Sequence, residues 1–102
     1  MMTVTFWEHG FTAEGHAEYA DYGQDIICAG ISAILQTAAL GLEQVVGLQL
    51  ETEVQEGYML CQIGQKLTDT QRREAAIVLK TAELGLKELR DAYPGHVQLN
   101  RR

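Results

Sequence analysis

Cys28 and His16 are the two residues of this sequence whose types and spacing suit nucleophilic chemistry. A thiol becomes a useful nucleophile when its pKa falls from about 8.5, and a helix N-terminus and a neighbouring imidazolium both lower it. Asp25 reads as a helix N-cap, so Cys28 is expected in the first turn, where unpaired backbone N–H groups and the helix dipole favour a thiolate. His16 lies across a short loop. Such a pair can attack a peptide carbonyl, the imidazolium then giving its proton to the leaving amine while N–H groups at the helix start steady the oxyanion. A carboxylate aimed at the sulfur would raise the thiol pKa, so Asp25 is expected to cap the helix or to orient His16. Ser32, four residues after Cys28, falls on the same helical face and is placed to hydrogen-bond the sulfur or the imidazole.

The elements that must position this pair follow from the hydrophobic pattern. Thr3 to Trp7 is rich in β-branched and aromatic residues, Glu8-His9-Gly10 reads as a tight turn, and Phe11 to Glu14 as a returning strand that delivers Gly15-His16 at its end. Ala17 to Gln24, with Tyr19, Tyr22 and Gly23, has no periodicity and reads as a loop suited to contacting a substrate, mobile when empty and ordered when filled. From Asp25 to about Gln44 the chain is nearly all small or apolar, a helix buried on several sides or covered by a partner chain. Leu48, Leu50, Thr52 and Val54 alternate with polar residues, which predicts a strand with one wet face. Glu56-Gly57 turns the chain into a further strand, Tyr58 to Ile63. Thr68 with Gln71 resembles a capping box, and Ala75, Val78, Leu79, Ala82, Leu86, Leu89 and Tyr93 follow at helical spacing until Pro94-Gly95. His96 to Leu99 reads as a last short strand. The order β-β-α-β-β-α-β predicts a single α+β domain over residues 1–102, a mostly antiparallel sheet packed with two helices.

Composition narrows the function. A net charge of −6 argues against direct nucleic-acid binding and favours encounter with a basic protein or peptide. No apolar run is read as long enough for a membrane helix and the start lacks signal-peptide features, so a cytosolic protein is expected. In that reducing compartment Cys28 and Cys61 are expected as thiols rather than as a disulfide. Cys61, between Met59 and Ile63, reads as a core residue; His9 and His96 read as solvated, and the scattered histidines make no metal site. Trp7 is equally suited to stack on a substrate side chain or to fill a core or dimer contact. Gly30 suits a close approach of backbone or substrate near Cys28, and Gly85 a helix crossing. On residue types alone three readings stay open: peptide hydrolysis, a protein-binding module with a structural thiol, and redox or acyl-transfer chemistry, which lacks a resolving cysteine near Cys28.

The segment Gly15-His16-Ala17-x-Tyr19-x-x-Tyr22-Gly23-x-Asp25-Ile26-Ile27-Cys28-Ala29-Gly30-Ile31-Ser32-Ala33 resembles the signature of the ribosomal-processing cysteine protease (Prp) family. In that family a Gly-His-Ala segment and an Asp-Ile-Val-Cys-Ala-x-x-Ser segment stand a fixed distance apart, and both match here apart from Ile27 in the valine position. The resemblance implies Cys28 as nucleophile and His16 as general base and acid, with Asp25 and Ser32 in support and no cofactor. It also implies a homodimer whose substrate is the apolar, phenylalanine-containing N-terminal extension of a large-subunit ribosomal protein. The signature covers residues 15–33, with only general similarity beyond it, and the first hairpin is shorter than is typical of the family.

Overall fold

A computed structural model describes the backbone of residues 1–15 and 22–102, and the side chains of residues 1–15 and 26–102. The elements are β1 (Met2–Trp7), β2 (Gly10–Glu14), α1 (Tyr22–Leu40), a π-helical turn (Gly41–Val45), β3 (Leu50–Gln55), β4 (Tyr58–Ile63), α2 (Asp69–Ala92) and β5 (Val97–Arg101). The order expected from the sequence is the order found. The five strands form one sheet in the order β3-β4-β2-β1-β5. Every neighbouring pair is antiparallel except β1 and β5, which run parallel.

This topology puts both helices on the same face. α1 links β2 to the parallel β3, and α2 links β4 to the parallel β5. The two crossovers move in opposite directions across the sheet from strands of opposite sense, so right-handed connections place both helices on one side. Strand alternation then assigns the core. Val54, Met59, Ala13, Val4 and Leu99 form one row across the sheet, and Thr52, Cys61, Phe11, Phe6 and Arg101 the next, all on the helix-covered face. Val4, Phe6, Phe11 and Cys61 are wholly buried there beneath Ile27, Ile31, Leu35 and Leu42 of the first helical segment and Leu79 and Leu86 of α2. The Phe6 and Phe11 rings sit opposite one another with centroids 5.8 Å apart.

α2 starts as its sequence predicts. The Thr68 hydroxyl accepts from the Gln71 amide, and the Gln71 side chain accepts from the Thr68 amide, a complete capping box. α1 and α2 approach closely where glycines remove side chains. A Cβ on Gly30 would lie 3.3 Å from a Leu89 methyl, one on Gly41 3.3 Å from Val78, and one on Gly85 3.5 Å from Ile34. Gly85 therefore has the expected role, whereas Gly30 serves the helix crossing and not an approach to Cys28.

Three expectations are corrected. β3 is an edge strand reached by neither helix, so all its residues but Leu50 are exposed and Val54, on the helix side, is 70% exposed. Its alternation marks a face that the helices do not cover. Ile26–Val45 is, by length and a mean hydropathy of 1.7, apolar enough to cross a membrane, contrary to the reading of its sequence. In the fold this stretch lays Ile27, Ile31, Leu35, Ala38 and Leu42 onto the sheet as core. The last strand begins and ends later than expected, because β5 follows β1 in register as far as Arg101 opposite Phe6.

Candidate active site

α1 begins at Tyr22, three residues before Asp25. Asp25 is thus inside the helix and not its N-cap, and Tyr22 and Gly23 belong to the helix and not to a loop. The helix tolerates Gly23 at a cost of about 1 kcal/mol, and an acidic residue near its start is favoured by the dipole without having to cap it. Cys28 falls in the second turn, beyond the first four residues whose amides lack intrahelical acceptors. The first-turn amides of the helix so bounded, those of residues 22–25, lie about one turn before the cysteine. His16 and Tyr19, and the 17–21 part of the expected mobile loop, lie outside the described residues.

The described residues place Cys28 at a cleft. Its side chain is half-buried and lines an open cavity of about 620 Å³. Ile31, Ser32, Leu35 and Gln36 line the same cavity from α1, which is the i, i+3, i+4, i+7, i+8 face that begins at Cys28. Ser32 thus shares a face and a cavity with Cys28, as its spacing predicts. Opposite stand Val54 to Met59, the tip of the β3–β4 hairpin, with Ala13, Gly15 and Met2 at the base. The cleft exists because the hairpin projects past α1: the row from Val54 through Met59 to Ala13 continues the core face outward, and its outer end has no helix above it.

Gly15, the last described residue before His16, is fixed from both sides. Its amide donates to the Gly57 carbonyl at 3.0 Å, tying the end of β2 to the hairpin tip. A Cβ on it would overlap the backbone of Met1 and Met2, so only glycine fits here. Gly57 has φ +74°, a left-handed conformation that favours glycine in the turn. The hairpin wall, Met2 and Ala13 were not anticipated as site residues. The legible signal was Val54, an apolar residue near the end of the strand after the polar run Glu51 to Glu53.

The remaining cysteine and aromatic candidates sit elsewhere. Cys61 is wholly buried, and burial, with a smaller contribution from the Glu43 carboxylate, pushes its thiol up to about 11. It is a core residue, as expected. Trp7 does not line the Cys28 cleft; the Arg102 guanidinium stacks over its ring at 4.6 Å. His9 is partly exposed in the β1–β2 turn beside Glu8, which also pairs with Arg72 of α2.

Comparison with known proteins agrees with this architecture. The family model described as cysteine protease Prp matches residues 1–98. A ribosomal processing cysteine protease Prp of Staphylococcus aureus is 30% identical over 88 residues, covering 85% of this chain and 80% of the relative. The protein of that name from Mycoplasma genitalium is 28% identical over 100 residues, covering 98% and 95%. The crystal structure of the S. aureus ribosomal processing protease Prp in complex with a substrate peptide superposes with a TM-score of 0.82 at 24% identity, covering all of both chains. A Streptococcus mutans crystal structure superposes with a TM-score of 0.75 at 21% identity over 100% of this chain and 96% of that one. With a half-buried thiol opening on a peptide-sized cleft and a family model spanning nearly the whole sequence, this chain belongs to the Prp family of cysteine proteases.

Proposed function

We propose that the chain, acting as one protease domain over its 102 residues, removes the N-terminal extension of a large-subunit ribosomal protein in the bacterial cytoplasm, with Cys28 as nucleophile and His16 as general base and acid. The observation that carries this reading is the position of Cys28 on the one face of α1 that opens into the cleft. His16 takes the thiol proton as the sulfur attacks the scissile carbonyl, and gives it to the amine nitrogen as the C–N bond breaks, leaving a thioester on Cys28. Water, deprotonated by His16, then hydrolyses the thioester and restores the thiol. Ser32 and Asp25 act in support: Ser32 shares the cleft with Cys28, and Asp25 stands one helical turn before it. We assign Tyr19, Tyr22 and Gly23 to substrate binding on the family resemblance alone. The apolar floor of Ile31, Leu35 and Met59 suits an apolar substrate segment, and the chain's acidity suits a basic substrate protein. The relatives are named as ribosomal processing proteases, and one solved relative holds a substrate peptide, which supports this substrate class. We read the protein as a homodimer.

The test is incubation of the unmodified protein, Cys28→Ala and His16→Ala with a peptide from the N-terminus of the same organism's ribosomal protein, read by mass. Cleavage by the unmodified protein, with a loss of at least about 10³-fold in each variant, is expected. Binding without cleavage by the unmodified protein would refute the assigned substrate.

A further inference from the structure

The charges of this chain are segregated along its sequence. All eight Lys and Arg residues stand at position 66 or later, whereas nine of the fourteen carboxylates stand before it. With histidine neutral, residues 1–65 have nine carboxylates and no Lys or Arg, a formal charge of −9, and residues 66–102 have five carboxylates against eight cations, +3. The fold carries this division to the cleft. Every described residue lining the Cys28 cavity lies between Met2 and Met59. The cations belong to α2, the segment before it and the C-terminal end of β5, and β5 is the edge strand farthest from β3.

Within the acidic part, one carboxylate is placed at the cleft. By strand alternation Glu14, Glu51 and Glu53 point to the face of the sheet that the helices leave open, and Glu53 accepts from the Gln55 side chain at 2.5 Å. Among the described residues lining the cavity, Glu56 is the only Asp, Glu, Lys or Arg. Its side chain is exposed and has no hydrogen bond or ion pair among the described residues. Its backbone is held. Glu56 and Gly57 form the two-residue turn that closes the Gln55–Tyr58 pair, and the Gly57 carbonyl accepts from the Gly15 amide. A carboxylate fixed beside an apolar floor, with no cation of its own, is complemented by a cation that the ligand brings. A cleft of one sign also focuses the field and speeds the approach of an oppositely charged peptide. Glu56 and Cys28 share one cavity, and an extended peptide advances about 3.3 Å per residue, so that cation stands within a few residues of the bond cleaved at Cys28.

We infer that Glu56 is a specificity-determining residue whose carboxylate pairs with a Lys or Arg side chain of the substrate, close to the scissile bond, while the substrate's apolar segment lies on the cleft floor. This rests on the Cys28 cleft being the peptide site.

Three forms of the ribosomal N-terminal peptide test it, identical except that the basic residue nearest the apolar segment is present as Lys, Gln or Glu. Fluorescence anisotropy on Cys28→Ala protein reads binding without cleavage, and circular dichroism confirms the fold of each variant. The Lys peptide is expected to bind about fivefold more tightly than the Gln peptide, with the Glu peptide weakest, and raising salt from about 50 to about 300 mM should narrow the difference. Adding Glu56→Lys should reverse the order. Adding Glu53→Lys, which changes the net charge equally on the other face of the hairpin, should keep it. In otherwise unmodified protein, Glu56→Gln should raise KM for the Lys peptide with kcat little changed. Equal binding of the three peptides, an order that survives Glu56→Lys, or an equal reversal by Glu53→Lys would overturn the inference, and cleavage of all three peptides would then leave the proposed function standing. A Glu56-dependent preference for Lys without cleavage would uphold the pairing and refute the assigned reaction. No binding of any of the three would overturn both.

Discussion

The Gly15 amide donates to the Gly57 carbonyl at 3.0 Å, and through this bond the end of the strand leading to His16 is tied to the hairpin tip that faces Cys28. Both glycines are required by geometry: Gly15 because a Cβ would overlap the Met1–Met2 backbone, Gly57 because its φ is +74°. Gly15→Ala is expected to destabilise the fold by about 1–3 kcal/mol, as overpacking does, and to lower peptide cleavage because the displaced backbone is the cleft wall. Gly57→Ala should cost about 1–2 kcal/mol from the left-handed conformation alone. Urea denaturation with cleavage assays on both variants checks this, and a Gly15→Ala protein of unchanged stability and activity would contradict it.

The two cysteines should differ sharply in reactivity. Cys61 is wholly buried and its thiol is pushed up to about 11, first by burial and then by Glu43, so an alkylating agent at neutral pH should modify Cys28 and leave Cys61 untouched until the protein unfolds. Peptide mapping after brief treatment reads this directly. A raised folded-state value also has a stability consequence. The contribution is intact below the ordinary thiol value of 9.0 and is lost as pH rises from there to about 11, on the order of 2–3 kcal/mol. Cys61→Ala should lack this alkaline step, and an identical stability profile in the two proteins would refute it.

Glu83 is a buried carboxylate that joins α2 to the last strand, with Lys80 at 3.1 Å and Arg101 at 3.4 Å. Burial pushes its pKa up, but the Lys80 hydrogen bond and the charges of Arg101, Lys80 and Lys87 outweigh it and hold the value below the usual 4.5. The stabilisation from a depressed value is present above the unfolded-state pKa and is lost as pH falls through the folded-state one. Glu83→Gln should therefore destabilise the protein by about 1.5–3 kcal/mol at neutral pH, with the difference from the unmodified protein shrinking below pH 4.5. Denaturation midpoints measured from pH 7 downward give the comparison. A difference that stays constant across that range would show that the charge of Glu83 is not what stabilises.

The candidate site was legible where it depends on local spacing. Cys28 and Ser32 are four residues apart on one helix, so their shared face follows from periodicity, and they do line one cleft. The opposite wall was not legible, because Val54, Gly57 and Met59 are brought to Cys28 by strand pairing across β2 and β4 and not by proximity in sequence. Helix boundaries were missed for a related reason. Asp25 has the composition of a cap, yet the helix continues three residues further back, which a side-chain preference of about 1 kcal/mol does not prevent.

The sequence by itself determined the order of elements, the capping box at Thr68 and Gln71, the burial of Cys61 and the face shared by Cys28 and Ser32, since each follows from propensity, capping or a period of two or 3.6 residues. The tertiary structure alone decided that β3 lies at the sheet edge, that Gly30 packs on Leu89, and that the hairpin tip stands over Cys28 as the second wall of a cleft. Those relations are set by strand order and helix crossing, which are long-range contacts that no local pattern along the chain encodes.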